Sequence, residues 1–229
     1  AAESGFLLMD GMGILRVCGL GLLALSLQSA NCGEAKPVPQ KEGTAMQVDV
    51  RLKVDIQPKP DSLEISYEFV NPKDQPVLVF DRMWNRAKKA IDPEWANVEI
   101  RGTKALISRS LSKKPVDLSF DNPPVPYGRE VAPGKSVSGK FSVALPLEER
   151  FGFYNFVRQT GEWKEIPVTE VAFALGWALK PQTLPPAVKP VDVGEDKGLL
   201  LLPYEMLEPI EKLVISQPLR LAVSARAKR

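Results

Sequence analysis

Apolar and polar residues alternate with a period of two along much of this chain. Met46, Val48, Val50, Leu52, Val54 and Ile56 alternate with Gln47, Asp49, Arg51, Lys53, Asp55 and Gln57. A helix would bring apolar positions back at three and four, so this run is a strand with one buried face. Pro58-Lys59-Pro60-Asp61 is a turn, and Leu63, Ile65, Tyr67 and Phe69 then repeat the alternation. Val77 to Phe80 is continuously apolar, as in a short strand covered on both faces. Val98 to Arg101 and Ala105 to Leu111 flank Gly102-Thr103-Lys104, which predicts a hairpin. Val116 to Phe120 reads as a further short strand. Pro133-Gly134 marks a turn that needs a positive φ at the glycine. Val137, Gly139, Phe141, Val143 and Leu145 alternate after it, and Val171, Phe173, Leu175, Trp177 and Leu179 form the last strong strand. The other face of that last strand carries Ala172, Ala174, Gly176 and Ala178, a pattern compatible with cover on both sides.

About seven or eight short strands between residues 46 and 180 predict a sandwich of two antiparallel sheets. The succession of strand, Asn71-Pro72 or Pro133-Gly134 turn, and strand resembles bacterial immunoglobulin-like and fibronectin-like modules over most of 46–180. No Cys-Trp-Cys set accompanies it. The resemblance implies an all-β, immunoglobulin-like antiparallel β-sandwich. Pro181 to Pro190 holds four prolines and reads as a semi-rigid linker. It leads to a short C-terminal appendage with a helical turn or two near Met206 to Lys212, and to a basic end, Ser224 to Arg229, expected to be solvated and frayed.

Before residue 46 the pattern changes. Val17 to Leu27 is uncharged and mostly apolar, follows Arg16, and precedes Ser29, Ala30, Asn31, Cys32 and Gly33. That is the layout of a secretory signal peptide. The run is shorter than the roughly 20 residues a membrane-spanning helix needs. Ser29-Ala30-Asn31-Cys32 resembles the lipobox of bacterial lipoproteins, with Ser29 and Asn31 departing from the residues usual there. The resemblance makes Cys32 a lipidation candidate; cleavage after Cys32 or Ala35 is the other route. The expected organisation is a signal segment over 1–32, a tether over 33–45, the sandwich over 46–180, and the linker with its appendage over 181–229. Export to the periplasm or anchorage at the outer membrane is the expected outcome, with membrane contact only through an N-terminal lipid.

Composition removes several chemistries. There is no histidine, which excludes Ser-His-Asp and Cys-His catalysis. Both cysteines, Cys18 and Cys32, lie in the first 32 residues, so the mature domain has no thiolate zinc cage and no internal disulfide. No metal and no cofactor are expected. A net charge of only +2 gives no reason to expect nucleic acid as a partner. Gly19 to Ala24 has the GxGxxA spacing of a dinucleotide site, but no alternation of strand and helix comes after it. Gly128 to Ser136 looks like a phosphate loop, but it has five residues between its glycines instead of four and opens a strand.

What remains is carboxylates and aromatics. Asp92 with Glu94, Glu148 with Glu149, and Glu162 with Glu165 are local acidic pairs, for which solvated surface charge is the simpler reading. Trp84 and Trp95 flank a basic segment with Arg86, Lys88 and Lys89, and Arg82 stands just before it. Tyr154 and Trp163 belong to a second aromatic-rich irregular stretch. Aromatic and Arg side chains dominate binding hot spots, and aromatic faces also stack on sugars. Trp84, Arg86, Trp95, Tyr154 and Trp163 are therefore the candidate binding residues, against the simpler reading that these loops cap the sandwich. The expected role is a non-catalytic cell-envelope protein that binds an envelope protein or glycan. The alternatives are a carboxylate-based hydrolase of envelope polysaccharide and a proteinase-inhibitor-like sandwich.

Overall fold

A computed structural model describes residues 49–85, 88, 90–115, 124–153 and 161–229. The signal segment, Cys32, Arg86, Tyr154 and the expected strand over 116–120 lie outside the described residues. The chain divides into two units, 1–45 and 46–229, and the described residues all belong to the second.

The described residues form an all-β structure with one short helix. The strands, in chain order, are β1 (Arg51–Pro58), β2 (Ser62–Val70), β3 (Val77–Asn85), β4 (Ala90–Asp92), β5 (Asn97–Arg101), β6 (Lys104–Arg109), β7 (Tyr127–Val131), β8 (Ser136–Ala144), β9 (Leu147–Glu148), β10 (Trp163–Leu179), β11 (Val191–Val193) and β12 (Asp196–Leu199). The helix α1 (Tyr204–Leu207) comes next, then β13 (Lys212–Ile215) and β14 (Leu219–Lys228). Within the described residues the strands expected from periodicity are present, with the first starting at Arg51.

β1, β2 and β8 form a small antiparallel sheet in that order. A large sheet runs β4-β3-β10-β14-β9, with β7 joined to β3, β6 and β13 to β10, and β5 to β6. The two sheets share one core. Leu63, Ile65, Phe69, Phe141 and Val143 of the small sheet pack against Val77, Val79, Ile107, Val171, Phe173, Leu175 and Trp177 of the large one. The arrangement is sandwich-like, but it corrects the expectation of purely antiparallel sheets. β10 pairs in parallel with β6, and β14 with β9. The long stretch of chain between Arg109 and Trp163 is ample for the crossover that a parallel pair needs.

The Pro133-Gly134 turn forms as its sequence demands. Gly134 has φ 69°, and Lys135 N donates to Ala132 O at 3.1 Å. The buried Asn71 holds this turn in place. Its side chain donates to Val131 O at 3.0 Å, and its carbonyl accepts from Gly134 N at 2.8 Å.

Residues after Pro190 re-enter the large sheet. Gly128 and Leu200 exchange backbone hydrogen bonds of 2.7 and 2.9 Å, which ties this segment to β7. Leu200, Leu202, Tyr204 and Leu207 then bury a second core with Leu78, Phe80, Leu111, Phe153 and Ala178 on the outer face of β3 and β10. β10 is thus covered on both sides, which explains its alanine face. β13 pairs with Ala174–Trp177, and β14 with Trp163–Val171. The basic C-terminus, expected to fray, is held instead: Arg229 Nη1 bonds the buried Glu149 at 2.7 Å and Nη2 bonds Ile100 O at 3.0 Å. The helical turn begins at Tyr204 rather than Met206.

Candidate functional site

The pairing of β3 with β7 shifts register between Val79 and Arg82, so that β3 carries one residue more than its partner. A bulge of this kind breaks alternation and re-aims side chains. Here it turns both Asp81 and Arg82 toward the small sheet. Asp81 is buried, and Oδ2 accepts a 2.7 Å hydrogen bond from the Tyr67 hydroxyl of β2. The same oxygen meets Arg82 Nη1 at 3.3 Å and pairs with Arg129 of β7. Burial beside Asp81 pushes the Tyr67 phenol well above its ordinary pKa, so it remains a hydrogen-bond donor.

Gly139 lies directly opposite Tyr67 on β8. A Cβ at Gly139 would collide with the Tyr67 hydroxyl oxygen. The absent side chain gives Tyr67 room to reach Asp81.

Above this network lies a cleft of about 540 Å3 lined by Arg82, Arg109, Ile91, Pro93, Gly139, Lys140 and the turn from Val193 to Asp196. The β11–β12 hairpin supplies one wall and is latched to β3. Arg82 Nε and Nη2 donate to the two carboxylate oxygens of Asp196 at 2.7 and 2.8 Å. That bidentate pair fixes both planes, and it holds the Asp196 carboxyl below its usual range. Arg109, at the end of β6, is 2% exposed. Its terminal nitrogens donate to the Asp81 and Pro93 carbonyls, and its guanidinium lies 3.8 Å from the centre of the Phe141 ring. Burial lowers its pKa, the mark of a desolvated cation.

Trp84 does not itself line this cleft, but its neighbours do. It comes two residues after Arg82 on β3, and it pairs across the ladder with Ile91, which lines the cleft. The Trp84 ring is 38% exposed and sits 6.3 Å, tilted, from Tyr127. Trp95 is half-buried and packs against the Arg150 guanidinium at 5.0 Å, a contact that serves the local packing. Trp163 begins β10, at the other end of that strand from its pairing with β3. It is 47% exposed, with Arg226 and Lys228 6.0 and 5.8 Å from its ring. The structure therefore does not bring Trp84 and Trp163 into one site.

Of the three acidic pairs, Glu162 and Glu165 are exposed, and the other two are tied into the fold. Asp92 accepts from Asn85 and Lys88, which outweigh its burial and hold its carboxyl low. Glu148 pairs with Arg226, and Glu149 accepts from Ile100 N as well as from Arg229. Among the described residues no group of three acidic, Cys or His side chains is placed to hold a metal ion, and no helix is long and apolar enough to cross a membrane.

Sequence reasoning reached Trp84 but not Tyr67, Asp81, Arg109, Arg129 or Asp196 as a group. Two signals were present: an acidic residue directly after the apolar run Val77 to Phe80, and a glycine on the core face of β8. No family model matches this chain, and neither a curated protein nor a solved structure matches it.

Proposed function

We propose that this domain is a non-catalytic glycan-binding module of the cell envelope, with an immunoglobulin-like sandwich as its scaffold. The observation that carries the reading is Trp84, a half-exposed indole beside a cleft whose floor is built from fixed Arg and Asp side chains. An aromatic face stacks on the apolar face of a pyranose, and convergent polar groups take its hydroxyls. The cleft volume suits one or two sugar units. Two sheets over one core support the immunoglobulin-like scaffold.

A binding role is favoured over hydrolysis by the state of the carboxylates in and beneath the cleft, where Glu195 is an exposed residue of the turn and the other two are held in fixed pairs. Asp196 is committed to Arg82 in a bidentate pair and Asp81 is buried under Tyr67 and Arg129. A glycosidase needs one carboxyl that keeps a proton near neutral pH, and Asp196 is shifted the other way. Export and a periplasmic or lipid-anchored setting complete the proposal, resting on Arg16 and Val17 to Leu27 with Cys32 behind them.

The test is titration of the purified protein with soluble envelope and plant polysaccharide fragments, for the wild type, Trp84→Ala and Trp163→Ala. Binding should weaken at least tenfold for Trp84→Ala and remain within twofold for Trp163→Ala. No binding across the panel, or unchanged binding by Trp84→Ala, overturns the glycan reading. Fusion of residues 1–40 to a reporter active only outside the cytoplasm tests export, and a silent reporter contradicts it.

A further inference from the structure

Arg109 is a buried charge that forms no ion pair among the described residues. Its side chain is almost wholly buried, yet the groups that accept its hydrogen bonds or pack on it are neutral: the carbonyls of Asp81 and Pro93 and the ring of Phe141. Nε of Arg109 has no protein partner. The Asp81 carboxylate acts on it from beyond ion-pair distance and is shared with Tyr67, Arg82 and Arg129. The neighbouring cations are already engaged, Arg82 by Asp196 and Arg129 by Asp81.

The poorly solvated part of the cluster therefore holds three guanidinium groups, on Arg82, Arg109 and Arg129, against two carboxylates, on Asp81 and Asp196. At the rim, Lys140 pairs with Glu64 at 3.0 Å in an exposed ion pair, and Glu195 is exposed. Rim charges act through water and contribute little. The inner end keeps one positive charge in excess. A buried cation without an ionic partner is costly, and an anion brought against it relieves that cost.

We infer that the glycan taken by this cleft is acidic, and that the carboxylate of a uronic-acid unit seats against Arg109. This rests on the glycan reading above. The guanidinium matches a planar carboxylate, and one unit of negative charge neutralises the one in excess. The sugar ring then extends along Ile91 and Pro93, which line the cleft, toward Trp84, the ladder partner of Ile91.

Arg109 is deep enough that Arg109→Gln could fail to fold, so the deciding change is made in the ligand. Titrate the wild-type protein, at fixed ionic strength, with oligogalacturonate and with the same oligomer after reduction of its carboxyls to primary alcohols. Include sodium acetate and inorganic phosphate as separate arms. The expected result is at least tenfold tighter binding of the acidic oligomer, with acetate and phosphate weak. A folded Arg109→Gln protein should bind both oligomers alike. Equal affinity of the wild type for the two oligomers overturns the inference and leaves the glycan reading standing. Binding of neither oligomer, with or without binding of the small anions, overturns the inference, and absence of binding across the whole polysaccharide panel overturns the glycan reading with it.

Discussion

The Tyr67 hydroxyl donates to Asp81 Oδ2 at 2.7 Å, joining the small sheet to the large one beneath the cleft. Gly139 across from Tyr67 makes that bond possible, because any Cβ there would occupy the hydroxyl's position. Tyr67→Phe removes one donor from a buried carboxylate and should cost about 1–3 kcal/mol in denaturant unfolding. Gly139→Ala should cost about 1–3 kcal/mol through overpacking. The two losses should not add, since each disrupts the same bond. Full additivity in the double variant would show that Gly139 is small for a different reason.

Period two was enough to find β1, β2, β8 and the second half of β10, because each turns large apolar residues onto one continuous core. β14 was harder to read. Leu219, Leu221, Val223, Ala225 and Ala227 do alternate, but the buried positions at its end are alanines and their neighbours are Arg226 and Lys228, which look like a solvated tail. The first half of β10 carries Pro167 and charged residues and owes its extension to β14. At the site, the bulge in β3 defeats simple alternation. Strict period two puts Arg82 with Leu78 and Phe80 on the outer face, whereas it meets Asp81 and Asp196. Arg109 gave no signal, since a cation closing the strand Lys104–Arg109 looks like a solvated end until the surrounding segments bury it.

The Arg82–Asp196 pair should govern the β11–β12 hairpin. Arg82→Ala or Asp196→Ala should raise amide exchange at Asp192 to Lys197 severalfold while leaving Leu63 to Phe69 protected. The Asp196 pKa is depressed in the folded protein, so this contribution is present above about pH 4 and is lost as the pH falls through the folded value. Hairpin protection should drop on acidification in the wild type and drop less in Asp196→Asn, where Asp192, held low by its hydrogen bond from Gly198 N, still titrates. An unchanged hairpin in all variants would show that the bridge of Leu200 to Gly128 holds it alone.

Glu211 gives a dependence of the opposite sign. It lies in the segment leading to β13, and burial pushes its carboxyl up to about 7, although Leu111 N donates to it at 2.8 Å and Lys113 lies nearby. Tyr204 and the side of Gly176 that lacks a Cβ are its other surroundings. A raised folded pKa means that stability is greatest below the unfolded value, near 4.5, and is lost as pH rises through about 7. Glu211→Gln should remove that decline and be the more stable protein at pH 8. Parallel stability curves for the two proteins between pH 4.5 and 8 would contradict it.

Cover on both faces of β10 is tested by Ala174→Asp and Leu175→Ala. Both side chains are fully buried, Leu175 in the core between the sheets and Ala174 on the opposite face. Leu175→Ala should cost about 2–5 kcal/mol. Ala174→Asp puts an unpaired charge into a closed layer and should cost at least about 3 kcal/mol. A tolerated Ala174→Asp would mean that the residues after Pro190 do not close over this face.

The most direct measurement of where a ligand sits uses the chain's four tryptophans, Trp84, Trp95, Trp163 and Trp177. Each gives one indole N–H signal in a 15N-correlated NMR spectrum, assignable by single substitution. During titration with an oligosaccharide that binds, the Trp84 indole should shift in step with saturation, together with the amides of Gly139 and Gly194. The buried Trp177 and the distant Trp163 should stay still. A saturable shift of Trp163 with Trp84 unmoved would place binding at the far end of β10 and contradict the assignment of the cleft as the ligand site.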